Sequence, residues 1–206
     1  MRVTLYHFDF SFFSLHMAIQ NKIIIITAPS GSGKTSITKH LMHHFQNLAF
    51  SISAATREAR GTEKNGVDYY FMSEVDFKQK IQLNEFAEWE MVYEGKYYGT
   101  LKSELQRIWS EEKVPVLDID VKGAIHVKQQ YPQSCITLFI EPPSVQELNK
   151  RLESRGTEND ESLAARINKA AYEISFKDHF DEKIVNDDLQ RACDEATVII
   201  ERFLEQ

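Results

Sequence analysis

The chain has 206 residues, of which 42% are hydrophobic and 27% charged, an ordinary composition for a globular domain with one core. Its formal net charge of -7 argues against non-specific binding to nucleic acid or to an anionic membrane surface. No stretch of the sequence approaches the ~20 consecutive apolar residues that would span a bilayer. Cys135 and Cys193 are far apart in apolar surroundings, so we expect buried free thiols in a reducing cytoplasm rather than a disulfide or a metal site.

Residues 1–20 are rich in Phe and Ser, and we interpret them as an N-terminal extension on which function does not depend. Asp9 interrupts the only candidate for the apolar core of a secretory signal. Met17 stands just before a natural lead into the first predicted strand, which makes it a candidate for the physiological start. We therefore expect the folded domain to comprise residues 21–206.

The most informative segment is residues 23–35, where a strand runs into a glycine-rich turn and then into a helix. Four successive isoleucines favour a strand that is covered on both faces, as in a parallel sheet. The turn consists of Ala28, Pro29, Ser30, Gly31, Ser32, Gly33, Lys34 and Thr35. This is the P-loop pattern with Ala28 in place of the usual first glycine, and its amides can converge on phosphate oxygens. We expect Lys34 to reach the β- and γ-phosphates of a nucleoside triphosphate and the Thr35 hydroxyl to ligate magnesium.

Beyond the P-loop, predicted strands and helices alternate, which indicates an α/β fold with a parallel core sheet flanked by helices. The helix that begins at Lys34 carries Ile37, Leu41, Phe45 and Leu48 along one face. Extended segments are predicted at residues 49–53, 69–72, 86–93, 114–120, 134–140 and 183–185. Further helices are predicted at residues 73–82, 144–152, 160–176 and 189–203.

The segment of about residues 51–100 fits this alternation poorly, and we interpret it as a mixed α/β substrate lobe inserted into a core of residues 21–50 and 101–206. Arg57 and Arg60 favour a second phosphate besides those on the P-loop, although a solvated basic loop would explain this pair equally well. Tyrosines, a glutamate and small hydroxyls follow in Asp68–Phe71, Phe86–Trp89 and Gly95–Thr100. Together these side chains could form a pocket for a nucleoside monophosphate.

Two acidic residues end the strand predicted at residues 114–120. Asp118 and Asp120 are similar to the acid that follows a core strand in P-loop enzymes, at the sheet edge beside the phosphate loop. Either of them could hold magnesium through water or accept a hydrogen bond from a substrate. The alternative is that one of them caps the helix that begins near Val121.

Taken in chain order, these motifs resemble the guanylate kinase family. The segments that carry the resemblance are Ala28–Thr35, Ser53–Gly61, Gly66–Phe71, Glu85–Trp89, Tyr97–Thr100, Leu117–Gly123, Arg151–Thr157 and Ile184–Asp188. The resemblance covers about residues 22–204 and implies a P-loop nucleoside monophosphate kinase fold, with a lobe for GMP and a helical lid at about residues 150–165. It further implies that the chain transfers a phosphoryl group from ATP to GMP with magnesium, giving ADP and GDP, in the cytoplasm.

The resemblance also implies roles for individual residues, carried over by position. Four side chains would grip the GMP phosphate: Arg57, Arg60, Tyr69 and Tyr98. Three would read the guanine base: Ser53, Glu88 and Thr100, the last standing where some relatives have serine. Two acids would lie between the nucleotides, Asp118 and Asp120, and Asn186 would lie near the adenine. Three arginines would reach the transferring phosphate: Arg151, Arg155 and Arg166.

The arginines at the predicted lid have a second interpretation. Arg151 and Arg155 are four residues apart, so on a helix they share one face and can reach the same phosphate group. Each of these arginines could instead pair with a neighbouring acid, such as Glu153, Glu158 or Asp160, on the surface.

Glu88 has a chemical reason to select guanine. Guanine presents its N1–H and 2-amino donors beside the O6 acceptor, so one carboxylate can accept both donors while the hydroxyl of Ser53 or Thr100 donates to O6. Adenine has no N1–H and would leave the carboxylate buried and unpaired. Sites built on such hydrogen bonds reject the wrong analogue by about 10^4 to 10^5.

Two alternatives to this kinase stay open from the sequence. A domain that has lost turnover could bind a phosphorylated or acidic peptide where GMP would sit, although the intact Gly33-Lys34-Thr35 favours an enzyme. A related P-loop kinase for another acceptor is the second alternative. The expected partners are the small molecules ATP and GMP, without nucleic acid or membrane, and the chain would act as a monomer or a homodimer.

Overall fold

The computed structural model of the protein describes residues 21–153 and 160–206. The predictions about residues 1–20 and about Arg155 concern positions outside these ranges. Within the ranges the chain forms nine strands and seven α-helices. The strands are β1 (Ile23–Thr27), β2 (Leu48–Phe50), β3 (Ala54–Ala55), β4 (Tyr70–Phe71), β5 (Phe86–Tyr93), β6 (Lys96–Leu101), β7 (Val114–Asp118), β8 (Cys135–Glu141) and β9 (Glu182–Val185). The helices are α1 (Lys34–His44), α2 (Glu74–Gln82), α3 (Lys102–Ser110), α4 (Val121–Gln130), α5 (Val145–Glu153), α6 (Asp160–Ile174) and α7 (Leu189–Glu205).

Five parallel strands form the core sheet in the order β2-β7-β1-β8-β9. Strand β1 lies at the centre and all five of its residues are buried, as its run of isoleucines predicts. Ile26 of β1 pairs with Asp118 of β7. Because parallel strands end at the same edge of a sheet, the turn after β1 and the acids after β7 lie next to each other.

The two faces of β1 contribute to two separate halves of the core. Ile24 and Ile26 pack in a cluster that includes side chains of α1 and α7. Ile23 and Ile25 pack on the opposite face with side chains of α3 and α4. Burial of one such side chain stabilises the folded state by about 1.5–3 kcal/mol. The central strand is therefore a stable support for the turn that follows it.

A second sheet of four strands, in the order β4-β3-β6-β5, is formed by residues 54–101. Strand β6 runs antiparallel to both β3 and β5, whereas β3 and β4 are parallel. Helix α2 covers this sheet with Phe77, which stacks on Phe86 at a ring-centroid distance of 4.3 Å. The segment thus has a small hydrophobic core of its own.

The helix predicted from Lys34 ends at His44, earlier than its apolar spacing indicated. Phe45 has an extended backbone, and Leu48 lies in β2, where it is buried. The prediction was wrong here because two consecutive elements face the same core, so their apolar residues read as one helical stripe.

The strand predicted at residues 114–120 ends at Asp118. Asp120 is the N-cap of α4, where its Oδ1 accepts a hydrogen bond of 2.7 Å from the amide of Gly123. The capping alternative for one of the two acids is therefore observed. The extended segment predicted at residues 49–53 was wrong in its bounds: β2 ends at Phe50, and residues 51–53 connect it to β3, which belongs to the other sheet.

Within the described ranges, the longest helices are too short or too polar to pass through a bilayer, and none qualifies as a membrane span.

Candidate active site

The P-loop joins β1 to α1, and its shape depends on two glycines. Gly31 and Gly33 have φ angles of +94° and +92°, which residues with side chains rarely adopt. A Cβ atom on Gly31 would lie 2.9 Å from Cδ1 of Leu148, and one on Gly33 would lie 2.1 Å from Nδ2 of Asn186. Gly33 is the N-cap of α1 and has no side chain with which to cap it. The first amides of α1 are therefore available to an anion.

A cavity of about 500 Å³ opens above this edge of the core sheet. The P-loop lines one side of it with Ala28, Pro29, Ser30, Gly31, Gly33, Lys34 and Thr35. The second sheet and the segments that adjoin its strands also line it, with Ser53, Tyr69, Glu88 and Tyr98. The remaining predicted side chains on its wall are Asp118, Asp120 and Arg166. Two groups of predicted site residues that are distant in sequence thus face one space.

Lys34 is the cation of the P-loop. Its Nζ forms an ion pair with Oδ1 of Asp118, the residue at the end of β7. Burial lowers the pKa of Lys34 to about 8, while the nearby carboxylates of Glu173 and Asp120 act in the opposite direction and favour the charged form. The acids around Lys34 therefore help to keep a half-buried ammonium group protonated.

Glu88 is a buried carboxylate on β5, with 6% of its surface exposed. Burial is the largest influence on the pKa of this carboxyl group and raises it to about 7. Thr100, its partner across β5 and β6, donates a hydrogen bond of 2.7 Å from Oγ1 to Oε1 of Glu88. A Cβ atom on Gly123 of α4 would lie 2.9 Å from the other oxygen, Oε2. Thr100 and Gly123 thus define the position of the carboxylate.

Thr100 is placed differently from the expectation that its hydroxyl reads a base. Its side chain lies behind Glu88, almost fully buried, and its hydroxyl proton points to that carboxylate. Ser53, the other hydroxyl predicted for this role, lines the cavity. The two small hydroxyl residues therefore occupy different positions: one supports the carboxylate and one faces the open space.

Two arginines between β3 and β4, Arg57 and Arg60, contact one acid that was not predicted from the sequence, Glu63. Arg57 donates two hydrogen bonds to Glu63, of 2.5 Å from Nη1 and 2.8 Å from Nη2. The amide of Arg60 donates to the same carboxylate at 2.8 Å. These contacts lower the pKa of Glu63 to about 2. The guanidinium of Arg57 also lies over the ring of Tyr69, 4.7 Å from its centroid.

Tyr69 in turn lines the cavity and contacts the ring of Tyr98 edge to face, with 6.1 Å between the centroids. Arg57 is therefore fixed at the margin of the cavity by an acid on one side and an aromatic ring on the other.

Helix α6 brings Arg166 to the cavity together with two residues that were not predicted, Lys169 and Glu173. Their spacing of three and seven residues from Arg166 places all three on one helix face, which is a signal that the sequence does contain. Glu173 is a buried acid, 8% exposed, and its Oε1 lies 3.9 Å from Nζ of Lys169. Burial raises the pKa of Glu173, whereas Lys169 and Lys34 lower it.

Arg151 and Asn186 lie together behind the P-loop. Asn186 donates a hydrogen bond of 2.7 Å from Nδ2 to the carbonyl of Ser32, which is itself buried. Arg151 of α5 donates from Nη2 to the carbonyl of Asn186 at 3.1 Å. The structure thus places Asn186, predicted to lie near an adenine, against the P-loop backbone.

A P-loop at the carboxyl edge of a parallel sheet is a phosphate-binding device of enzymes that transfer phosphoryl groups. Here residues of a second sheet line the same cavity as the P-loop, and this arrangement is the P-loop nucleoside monophosphate kinase fold. The sequence model of the guanylate kinase family matches residues 20–203. The chain belongs to the guanylate kinase family, as the order of its motifs predicts.

Individual relatives agree with this assignment. The chain is 44% identical over 198 residues to a guanylate kinase of Bacteroides thetaiotaomicron, covering 95% of this chain and 97% of that protein. It is 46% identical over 189 residues to a guanylate kinase of Bacteroides fragilis, covering 92% and 93% of the two chains. The solved structure of guanylate kinase from Anaplasma phagocytophilum superposes with a TM-score of 0.70 at 28% identity, covering 90% of this chain and 87% of that chain.

Proposed function

We propose that the cavity holds two nucleotides face to face, ATP on the P-loop and GMP against the second sheet. As a member of the guanylate kinase family, the chain is an ATP-dependent kinase that phosphorylates GMP to GDP. The observation that supports this placement is that the P-loop and the buried carboxylate of Glu88 line the same cavity. A volume of about 500 Å³ lies within the usual range for small-molecule sites.

The triphosphate of ATP would lie at the amino end of α1. The loop amides and the helix dipole favour an anion there, and Lys34 adds the charge that the β- and γ-phosphates require. The ion pair with Asp118 supports this role, because it holds the ammonium at the mouth of the P-loop before a phosphate displaces the carboxylate. Phosphate oxygens would then replace the carboxylate as the partners of Lys34.

Magnesium fits this site as a companion of the nucleotide. Among the residues that the structure describes, no group of three or more His, Cys, Asp or Glu side chains is arranged to hold a metal ion by itself. Mg²⁺ usually binds through one or two protein oxygens together with phosphates and water. The Thr35 hydroxyl would be a direct ligand, and Asp118 or Asp120 would hold the ion through water. The bound ion would neutralise charge on the phosphate oxygens.

GMP would bind with its base at Glu88 and its phosphate at the margin of the lobe. The ionised carboxylate of Glu88 accepts the N1–H and 2-amino donors of guanine, and the Ser53 hydroxyl donates to O6. Thr100 supports this recognition indirectly, since it orients Glu88. The phosphate would meet the hydroxyls of Tyr69 and Tyr98 and the positive charge of two arginines, Arg57 and Arg60, the first of which Glu63 holds in place.

In the transfer step, an oxygen of the GMP phosphate forms a bond to the γ-phosphorus of ATP while the bond from that phosphorus to the β–γ bridging oxygen breaks. ADP leaves with the electron pair of the broken bond. The protein contributes positioning and positive charge, which is most of what this chemistry needs. Arg166 lines the cavity. Arg155 belongs to the proposed lid, and Arg151, at the start of that lid, donates to the carbonyl of Asn186 in the structure.

The domain organisation completes the proposal. Residues 21–50 and 101–206 form the core, residues 51–100 form the GMP lobe, and a lid at about residues 150–165 closes over both nucleotides and excludes water. Residues 1–20 would be dispensable. The buried free thiols of Cys135 and Cys193 support a cytoplasmic location. The protein would act on ATP and GMP alone, as a monomer or a homodimer, without nucleic acid or membrane.

The experiment that tests the proposal is a survey of nucleoside monophosphates as acceptors, with ATP and magnesium, in a coupled assay of ADP release. We expect GMP to exceed AMP by about 10^4 or more in kcat/KM. A preference for another acceptor would contradict the placement of guanine at Glu88. Turnover that is absent with every acceptor would favour a binding module for an acidic peptide.

A further inference from the structure

Asn186 packs against the P-loop. It follows β9 directly, and only 4% of its surface is exposed. Its amide Nδ2 donates to the carbonyl of Ser32 at 2.7 Å. The same nitrogen would be 2.1 Å from a Cβ atom on Gly33, so the turn is folded closely around this side chain. The contact between Asn186 and Ser32 therefore depends on the conformation of the P-loop.

The backbone of Asn186 is itself held from two sides. Its amide donates to the carbonyl of Glu141 at the end of β8, at 2.8 Å. Its carbonyl accepts the hydrogen bond from Arg151 of α5, at 3.1 Å. With both backbone groups bonded to the surrounding fold, the amide side chain has a fixed base from which to reach the P-loop.

The carbonyl of Ser32 needs such a donor because it is buried in a turn that must point its amides outward. Peptide units in a P-loop direct N–H groups at the ligand, so their carbonyls point back toward the protein. Without the amide of Asn186, the carbonyl at Ser32 would lose its buried partner, and the turn could rotate to find another one. The amides that face the phosphates would then move with it.

We infer that Asn186 is a positioning residue for the triphosphate, acting through the carbonyl of Ser32. The role rests on the proposed placement of ATP on the P-loop. The inference adds to the proposed binding of ATP a side chain, that of Asn186, which helps to fix the conformation of the P-loop.

The test compares two ligands of the full chain by calorimetry: ATP and inorganic tripolyphosphate, each with magnesium. Asn186→Ala removes the amide, and Asn186→Asp keeps its size but replaces the donor by an acceptor. We expect both variants to weaken the two ligands by the same factor, about tenfold or more, as the loss of one buried hydrogen bond suggests. The KM for GMP should stay within about twofold. If Asn186→Ala does not fold, Asn186→Asp decides the question by the same comparison.

Asp187→Asn is the matched control, since Asp187 is exposed on the same turn and pairs with Arg191 on the surface. It should leave the binding of both ligands unchanged. The preference for ATP over GTP as phosphoryl donor should also be unchanged in the Asn186 variants, because a positioning role does not involve the base.

Weaker binding of ATP with unchanged binding of tripolyphosphate would overturn the inference and return Asn186 to the adenine. Unchanged binding of both ligands would overturn it as well. Lys34→Ala separates this failure from failure of the proposed function. If Lys34→Ala abolishes tripolyphosphate binding while the Asn186 variants do not weaken it, only the role of Asn186 is contradicted. If Lys34→Ala also leaves tripolyphosphate bound, both proposals fail together.

Discussion

The two ends of the cavity are built in different ways. At the P-loop, the groups that face the cavity are backbone amides and one lysine, and their positions follow from two glycines and the start of a helix. At the second sheet, the group proposed to select the base is one buried carboxylate, that of Glu88, which accepts a hydrogen bond from Thr100. In the proposed placement, the first end would bind any triphosphate, whereas the second would distinguish bases by their hydrogen-bonding edge. In this proposal, affinity for the triphosphate and selectivity for the base therefore depend on separate parts of the chain.

The two ends of the cavity also differ in their effect on the stability of the fold. The P-loop sits on the most buried strand of the core, and its lysine is paired with an acid. Glu88 is a carboxylate whose pKa burial has raised to about 7, so its ionised form is destabilising in the absence of a partner. Substitutions at the two ends should therefore have different effects on activity, on stability and on their pH dependence.

The largest effect is expected for Lys34→Ala. The variant loses the cation of the P-loop and leaves Asp118 uncompensated beside the phosphates, so kcat/KM should fall by about 10^3 or more. The measurement is the coupled assay of ADP release, with circular dichroism to show that the fold is retained. Lys39→Ala, an exposed lysine on the same helix, is the matched control. Activity within a few-fold of the parent would show that Lys34 has no role in transfer.

The next effect is expected for Glu88→Gln. The side-chain amide of glutamine can accept one of the two guanine donors, but its NH2 group would meet the other donor and cannot bond to it. We therefore expect kcat/KM for GMP to fall by about 10^2 to 10^3. The KM for ATP should change by less than about twofold, which separates the two ends of the cavity. Glu85→Gln removes a carboxylate that pairs with Lys80 on the surface and serves as the control. A loss shared equally between ATP and GMP would argue against a separate base site.

The pH dependence of GMP binding is expected to follow the pKa of Glu88. Below about pH 7 the carboxyl is protonated and cannot accept both guanine donors, so the KM for GMP should rise as the pH falls through 7. In Glu88→Gln this rise of the KM should disappear, so that only the titration of the nucleotide itself affects GMP binding. Parallel pH profiles of parent and variant would contradict the assignment of the titration to this residue.

The same carboxyl predicts the sign of a stability effect. Its pKa is about 7 in the folded chain against 4.5 for an unperturbed glutamate, so the folded state binds the proton more tightly than the unfolded state. This group therefore makes the free energy of unfolding decrease as the pH rises from about 4.5 to 7, by at most about 3 kcal/mol. The melting temperature of ligand-free Glu88→Gln should be higher than that of the parent above pH 7 and equal to it near pH 4.5. An equal difference at both pH values would contradict this account.

The smallest effect is expected for Gly123→Ala. Its methyl group would lie 2.9 Å from Oε2 of Glu88 and should displace the carboxylate by a few tenths of an ångström, raising the KM for GMP about tenfold. Alanine is the better helix former, by up to about 1 kcal/mol, so the melting temperature should be retained or raised. A drop in melting temperature together with an unchanged KM would place the strain in the fold instead of at Glu88.

The P-loop end could be predicted from sequence because its conformation is encoded in eight consecutive residues and the strand before them. The alternation of strands and helices likewise predicted the parallel core sheet. The base end was predicted as a set of residue types by the resemblance to a family, and the structure then brought Glu88 and Ser53 to the same cavity as the P-loop.

The contacts that could not be predicted join residues distant in sequence. The amide of Asn186 meets a carbonyl 154 positions away, and no local pattern records such a pairing. Thr100 was expected to face a base, but the register of β5 and β6 turns its hydroxyl to Glu88. Lys169 and Glu173 were recognisable only as polar positions on a helix face until the packing of α6 showed that they line the cavity.

The measurement that tests the central claim most directly is a crystal structure with a bisubstrate compound in which adenosine and guanosine are joined by five phosphates. We expect its phosphates to follow the P-loop amides and Lys34, with the N1 and 2-amino nitrogens of guanine about 3 Å from the carboxylate of Glu88. Guanine bound away from Glu88, or phosphates bound outside the P-loop, would contradict the placement of two nucleotides in one cavity.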